Sequence, residues 1–363
     1  MKNMKYIVQN LNFAAPYPGN LMRSVWDLEL RCKEKNIELI YCFPEIAQSL
    51  PWIEEMVKCG KNVYFKPSKP KVKFWKNIIK TYKPIAIHTH FWNIRDSLTI
   101  RLATFAKRKT HLILHHHNTY FESKKRWKEF LKRLVVKSDM HIACGYALGD
   151  VLKSVGFENS VTVENAIDFS RIDDYDYLNR NDFDISDDAI VFLMFGFPIH
   201  RKGVDLAIKA LNEFSKENND KEVVLCLVVA SELEKNKRIL AEEFGDIPSW
   251  VKFLPPRDDI ATYYRFVDVF LSPSREEGFC YALPEAAYSG CNLVFSDIPG
   301  QMHAINIPNA YHFESENIES MKDTIESVIN SEKINTAKEY VVDKYNLSKW
   351  SESIIDVYIK CLN

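Results

Sequence analysis

Short apolar runs alternate with longer amphipathic stretches along the first half of the chain. Apolar runs at 5–9, 37–43, 62–65, 85–88, 111–115, 140–143 and 161–163 predict strands, and the segments 21–35, 73–82, 94–107 and 126–137 carry a helical period. Such alternation predicts a doubly wound, parallel sheet. Residues 168–188 break it, with eight Asp and little apolar periodicity, and read as a solvated linker. The alternation then restarts. Strands are expected at 189–195, 223–229, 251–253, 267–271, 292–295 and 310–313, and helices at 204–214, 235–243, 261–266 and 318–328. A last amphipathic helix is expected over 347–362.

Two α/β domains in tandem follow from this pattern, and 363 residues suit two such cores. Ligands of open α/β sheets bind beyond the carboxyl ends of the strands. The natural site for two domains face to face is therefore the cleft between them. No run approaches about 18 apolar residues, so a spanning helix is not expected. The N-terminus lacks a signal-peptide pattern, and Tyr6-Ile7-Val8 reads as a first strand. The eight Cys, at 32, 42, 59, 144, 226, 280, 291 and 361, form no CxxC pair. They read as reduced thiols of a cytoplasmic protein. The net charge of −1 hides an asymmetry. Residues 1–168 hold 28 Lys and Arg against 15 Asp and Glu, and residues 169–363 hold 20 against 34. Either the partition is chance or the first half faces something anionic, such as a membrane surface or a phosphorylated lipid.

Two segments carry chemistry. In 272–290, SPSREEGFCYALPEAAYSG, a strand runs into a loop and a helix is expected to begin at Pro284. Glu277 then lies in the loop and Glu285 in the first helical turn. The intervening amides and the helix N-terminus suit an anionic or polyhydroxylated ligand. Two carboxylates suit sugar and ribose hydroxyls, because each accepts directed hydrogen bonds. By spacing alone, Glu285 could equally serve only the helix dipole and Glu277 only solvation. In 196–206, GFPIHRKGVDL, Gly196 follows a strand and lets backbone approach a ligand. Arg201 and Lys202 precede Gly203 and a helix, and such cations can grip a diphosphate. A basic turn on a solvated surface is the competing explanation.

In this order, these segments resemble the C-terminal domain of glycosyltransferase family 4. The matching residues are Lys202-Gly203-Val204-Asp205, Pro273-Ser274, Glu277-Gly278-Phe279, Glu285 and Gly290. Asn165-Ala166-Ile167-Asp168 resembles the family's junction motif, and Lys349-Trp350 its C-terminal helix. The resemblance implies a GT-B architecture: two Rossmann-like domains facing across a cleft, with the C-terminal helix crossing back to the first. The expected divisions are an N-terminal acceptor-side domain, 1–168 with the helix 347–363, a linker, 169–188, and a nucleotide-sugar domain, 189–346. It implies that Lys202 binds the donor diphosphate, Glu277 the donor sugar and Glu285 the ribose. Gly278, Phe279 and Cys280 would present backbone to sugar and phosphate. Arg257, in LPPRD, lies where the family usually holds the base. Gly19, in AAPYPGN, resembles the glycine of the family's first loop, which approaches phosphates and acceptor; an ordinary turn is the alternative. The chain departs from the family at Phe197, where many members have Arg, and at Cys280, where Gly is frequent. Arg201 is the candidate to supply the missing charge.

Histidines cluster at two strand ends, His88 with His90 and His115 with His116 and His117. Adjacent strand residues point to opposite faces, so a zinc site would need His115, His117 and His90, without any Cys nearby. No metal is expected. His117 instead matches the family's post-strand His, which reaches the transferred sugar, to hydrogen-bond the reacting centre or help neutralise charge. Asp174 with Asp176 and Asp182 with Asp184 have a metal-pair spacing, but no strand leads into them and they read as solvated charge.

Lys66 to Lys83 holds seven Lys, no acid, and Phe74, Trp75 and Tyr82, and Lys124 to Lys137 repeats the mixture. With no RNA-binding motif, these suit an anionic membrane surface better than nucleic acid. Solvated helix faces are the alternative. The resemblance then implies transfer of a sugar from a nucleotide-diphosphate sugar, UDP-linked by family frequency, to a hydroxyl of a glycan or lipid-linked acceptor, with retention. Bacterial cell-surface polysaccharide or glycoconjugate synthesis is the expected setting, in the cytoplasm or peripheral on the inner membrane face. No cofactor is expected beyond the nucleotide-sugar co-substrate. A sugar-nucleotide epimerase of the same fold and a silent nucleotide-sugar-binding protein are the rival functions.

Overall fold

The computed structural model describes residues 4–69, 71–105, 110–117, 136–173, 178–218, 220–257, 259–331 and 336–361. The chain divides into two compact units, Met1–Ala166 with Asn346–Asn363, and Ile167–Tyr345.

The first unit is built on a sheet of β1 (Lys5–Leu11), β2 (Ile37–Pro44), β3 (Val63–Lys66), β4 (Ala86–His90), β5 (His111–His116), β6 (Met140–Ala143) and β7 (Ser160–Thr162). Their spatial order is β3-β2-β1-β4-β5-β6-β7, and every pairing is parallel. The order reverses between β1 and β4, which makes their carboxyl ends a topological switch point. One face of the sheet is covered by the helices Gly19–Glu34 and Leu347–Lys360, which pack on each other. Trp350, Ile354, Val357 and Tyr358 repeat at helical spacing and share a core with Ile7, Val25, Leu28 and Tyr41. The other face buries Val8, Ile40, Ile87 and Leu112 against Trp75, Ile78 and Ile79.

The second unit repeats the design with β8 (Ile190–Phe195), β9 (Val223–Val228), β10 (Val251–Leu254), β11 (Val269–Ser272), β12 (Asn292–Ser296) and β13 (Ala310–Phe313). Their order is β10-β9-β8-β11-β12-β13, again all parallel, with the switch point between β8 and β11. The sequences IVFLMF and VVLCLV are apolar throughout because both faces of a parallel sheet are covered. The helices Val204–Glu217 and Ile318–Ile329 supply one cover, through Ala207, Leu211, Phe214, Met321, Ile325 and Val328.

The structure departs from the sequence expectations in four places. Residues 168–188 are not a free linker. The chain from Ile167 belongs to the second unit, where Arg171, Ile172 and Ile185 are buried and Phe183 stacks on Phe266 at 4.9 Å. Arg180 fastens the segment by donating to Asp268 at 2.8 Å and to the Phe266 carbonyl at 3.1 Å. These anchors are too sparse to show a period, which is why the segment reads as solvated. Asp182 accepts from the backbone N–H of Asn179, which caps the turn Arg180–Phe183, and Asp184 ends it, whereas Asp174 and Asp176 lie outside the described residues. The helix expected at 261–266 is a 3₁₀ segment, Ile260–Arg265. The short helices Pro51–Lys58, Tyr146–Ser154 and Ala337–Lys344 escape a periodicity search because they span only two or three turns.

The fourth departure concerns the basic aromatic stretch. Lys66 is buried at the end of β3, donating to Asn10, to Asn12 at 2.6 Å and to Asp96 at 3.2 Å. Burial lowers its pKa against the opposing pull of Asp96. Trp75 is 1% exposed and donates to Asp96 at 3.2 Å, while Phe74 and Tyr82 pack against the same core. The aromatic groups are thus structural and do not face out as membrane anchors. Lys69, Lys71, Lys73, Lys76, Lys80 and Lys83 remain exposed. In the second basic stretch, residues 124–135 lie outside the described residues. Among the described residues, no helix is long and apolar enough to cross a membrane. All eight Cys are free thiols.

Candidate functional site

Two loops meet at the switch point of the second sheet. After β8 the chain passes Gly196 and Phe197 and makes the short turn Ile199–Lys202. It reaches Gly203 at φ +70° and enters the helix Val204–Glu217. A Cβ on Gly203 would stand 1.9 Å from the carbonyl oxygen of Pro273, in the loop after β11. Glycine is therefore required there twice over, by conformation and by the close approach of the second loop. Gly196 has a packing reason as well, since a Cβ would meet Leu227 at 2.4 Å and Val204 at 2.8 Å.

The contact draws the charged groups together. Lys202 Nζ donates to Glu277 Oε1, and Arg201 Nη1 donates to Glu277 Oε2 at 3.0 Å and to the Glu276 carbonyl at 2.9 Å. Ser274 Oγ donates to Glu277 Oε1 at 3.2 Å. Glu277 is 9% exposed. Burial pushes its pKa up, but Lys202 and Arg201 more than offset this, so the carboxyl stays below its ordinary value and ionised. The backbone beneath is held from both sides. Arg275 forks onto Asp205 at 2.8 and 2.7 Å and donates to the His200 carbonyl at 2.7 Å. Opposite, Gly300 packs so close that a Cβ would lie 1.8 Å from the Glu277 carbonyl oxygen. Ser296 Oγ donates to the Ser274 carbonyl at 2.6 Å, and Gln301 ties Ser296 to Ser272.

The loop continues through Gly278, Phe279 and Cys280 into the helix Ala282–Tyr288, which starts two residues earlier than Pro284 suggests. Phe279 is buried in a stack on His303 at 4.0 Å. Burial pushes His303 down to about 3, so the imidazole is neutral. Cys280 is buried 3.7 Å from Ser272 Oγ, and burial raises its thiol pKa. Glu285, one turn into the helix, is 5% exposed. Its Oε1 accepts from Arg171 at 2.5 Å and its Oε2 from Tyr264 at 3.0 Å. Arg257 follows β10, at the sheet's edge, and forks onto Asp259 with Nε at 2.6 Å from Oδ1.

Lys202, Arg201 and Glu277 thus converge, while Glu285 sits in its own ion pair and Arg257 in another. Gly19 and His117 belong to the first unit. Gly19, at φ +57°, opens the helix Gly19–Glu34 with nothing within 4 Å of a would-be Cβ. His117 follows β5 and shares a hydrogen bond with His90 at 3.0 Å. Phe91, held at φ +47°, packs its ring on His117 at 4.6 Å. Sequence reasoning missed Arg171, hidden in the Asp-rich segment, and the clamps made by Arg275 and Gly300. It also missed Gln9 and Tyr358, although a Gln within an apolar strand is a visible signal.

Residues 178–345 match the family model described as glycosyl transferases group 1. These residues are similar to a glycosyl transferases group 1 domain. The matched segment contains both loops described above. Among curated relatives, an O-antigen biosynthesis glycosyltransferase, WclY, of Escherichia coli is 30% identical over 137 residues, 36% of this chain and 37% of that protein. An uncharacterized glycosyltransferase of Haemophilus influenzae is 30% identical over 132 residues, 36% of each. The matches thus span little more than a third of these relatives' lengths. Among solved structures, a glycosyltransferase from Rickettsia africae aligns with a TM-score of 0.80 at 16% identity, over 99% of this chain and 100% of that one. Anabaena Alr3699/HepE, solved in complex with UDP and glucose, aligns with a TM-score of 0.77 at 15% identity, over 99% and 100%. These likenesses show the fold: two parallel-sheet, Rossmann-like units of the GT-B kind.

Proposed function

We propose that this chain transfers a glycosyl group from a nucleotide-diphosphate sugar to a hydroxyl of a glycan or lipid-linked acceptor, with retention and without a metal. The observation that carries it is the convergence of Lys202, Arg201 and Glu277 at the switch point of the segment similar to a group 1 domain. A UDP-linked donor is supported by the UDP and glucose held by Anabaena HepE, and a cell-surface polysaccharide acceptor by the O-antigen enzyme among the relatives.

In this mechanism the bond from the anomeric carbon to the diphosphate oxygen breaks while the acceptor oxygen bonds to the same face. The acceptor proton passes to the departing phosphate. Lys202 and Arg201 face the charge that develops on the diphosphate, a preorganised electrostatic role. Glu277 accepts hydrogen bonds from donor-sugar hydroxyls and orients Lys202. The backbone at Gly278, Phe279 and Cys280 lines the same loop. Gly196 admits the close approach of the first loop, and Gly19 supplies the first unit's phosphate-facing turn. Glu285, in the helix that follows the loop, binds the ribose through its carboxylate. Arg257 lies on the base side, and His117 hydrogen-bonds the sugar. The six exposed Lys of 69–83 support contact with an anionic membrane surface on the cytoplasmic side.

The test is acceptor-dependent release of nucleoside diphosphate by wild type and by Lys202→Ala, Glu277→Ala and Glu285→Ala. Losses of roughly 100- to 1,000-fold are expected for Lys202→Ala, as for removal of one transition-state donor. Wild-type turnover in all three variants removes the proposal. Donor isomerisation without acceptor would establish an epimerase instead, and binding without turnover a silent binder.

A further inference from the structure

The carboxyl ends of β4 and β5 gather four histidines on one face of the first sheet. His88 and His90 alternate on β4, and His90 is in register with His115 on β5. His117 continues that face two residues further. Gln9, from β1, and Tyr358, from the C-terminal helix, join them. Gln9, His88, His90, His115 and Tyr358 are all 0% exposed, and His117 is partly buried.

The hydrogen bonds form one chain with Gln9 at its centre. Gln9 Nε2 donates to the Tyr358 hydroxyl at 2.7 Å. That hydroxyl then donates its own proton to His88 Nδ1 at 2.7 Å, and His88 Nε2 donates to His115 Nδ1 at 3.2 Å. On the other arm, Gln9 Oε1 can only accept, so His90 carries its proton on Nε2, at 3.0 Å. His90 Nδ1 is then a lone pair, and it accepts from His117 Nε2 at 3.0 Å. A neutral His117 is left with a lone pair on Nδ1. Burial, reinforced by the neighbouring rings, holds His88, His90, His115 and His117 well below the ordinary histidine value.

We propose that Gln9 and Tyr358 are positioning residues that lock His117 as a neutral acceptor, its Nδ1 lone pair presented to a hydroxyl of a polyhydroxylated ligand at the end of β5. This rests on the proposed sugar-transfer function and deepens it: His117 meets the sugar as an acceptor from a hydroxyl, and it does not neutralise a phosphate. An anionic oxygen carries no proton to donate and meets a lone pair there.

The test uses the full chain labelled with ¹⁵N-histidine at pH 7.5, read by long-range ¹H–¹⁵N correlation and assigned by the spectrum of His117→Asn. Wild type is expected to show His117 in the single Nε2–H tautomer. Gln9→Leu is expected to show both tautomers. Gln9→Glu, whose carboxylate accepts from Tyr358 and His90 alike, restores the single one. Should Gln9→Leu fail to fold, Tyr358→Phe removes one oxygen, frees the Gln9 amide and is expected to give the same mixture. In the transfer assay, Gln9→Leu should lower kcat roughly 10- to 100-fold, the scale on which losing the partner that orients a metal-bound histidine lowers activity. The donor KM should stay near the wild-type value. An Nδ1–H or mixed His117 in wild type, or a tautomer indifferent to Gln9 and Tyr358, overturns the proposal. So does a Co²⁺ absorption band lost in His88→Asn, because nitrogens of His88, His90 and His115 lie within 4.8 Å and a metal there would break the chain. The spectra need no turnover, so a protein inert to sugar nucleotides would sink the function while leaving this tautomer result standing.

Discussion

Gly203→Ala probes the contact on which the second unit's site depends. The new Cβ would lie 1.9 Å from the Pro273 carbonyl oxygen, whereas ordinary contact begins at 3.4 Å. The two loops must therefore part by about 1.5 Å, the difference of those distances. A left-handed non-glycine residue costs about 1 kcal/mol, and forcing packed groups apart costs about 1–3 kcal/mol more. The sum, about 2–4 kcal/mol, corresponds to a fall in Tm of roughly 4–16 °C for a domain of this size. Gly290→Ala is the control, because Gly290 is also left-handed, at φ +88°, but a Cβ there meets nothing within 4 Å. It should cost only the conformational part, about 1 kcal/mol. Differential scanning calorimetry of the full chain measures both. Separation by 1.5 Å also exceeds what the 3.0 Å Arg201–Glu277 bond tolerates, so calorimetric affinity for UDP-glucose should fall in Gly203→Ala and hold in Gly290→Ala. Equal melting temperatures for the two variants would refute the reasoning, since the Pro273 contact would then carry no energy.

Arg171→Ala strands Glu285 in a buried site with Tyr264, and a loss of about 3–5 kcal/mol is expected in urea unfolding; an unchanged midpoint would show the pair to be idle. Stability should also fall steeply on mild acidification. His88, His90, His115, His116, His117 and His303 are all held below their ordinary value, chiefly by burial. The unfolded chain binds their protons from about pH 6.5 downward while the folded chain does not, so stability is fully present above that pH and is lost below it. A urea midpoint equal at pH 7.5 and 5.5 would contradict this. Replacing Lys73, Lys76, Lys80 and Lys83 by Gln should reduce sedimentation with phosphatidylserine-containing vesicles, without altering neutral-vesicle controls; equal sedimentation would leave these residues as a solvated face.

Much of the architecture was legible because it is local. A strand such as IVFLMF and a helix such as 347–360 announce themselves by a period of apolar residues, which any few consecutive positions reveal. The positions of the two chemistry-bearing loops were legible too, since Gly beside a strand end and a following helical period mark a turn there. The partners of those residues were not. Arg171 lies 114 positions before Glu285, and Tyr358 lies 349 after Gln9. Nothing in the neighbouring sequence marks either pairing.

The chain's order of residues therefore determined that two parallel sheets form and where their loops fall. Tertiary structure alone decided which side chains those loops face. It turned Trp75 and Lys66 from an apparent surface patch into core, and made an Asp-rich segment part of the second unit. It also threaded five buried polar groups into one hydrogen-bonded chain ending at the partly buried His117. The physical reason is that periodicity encodes which face of an element is buried, whereas the partner of a buried polar group depends on strand order and helix docking, which bring distant residues within bonding reach.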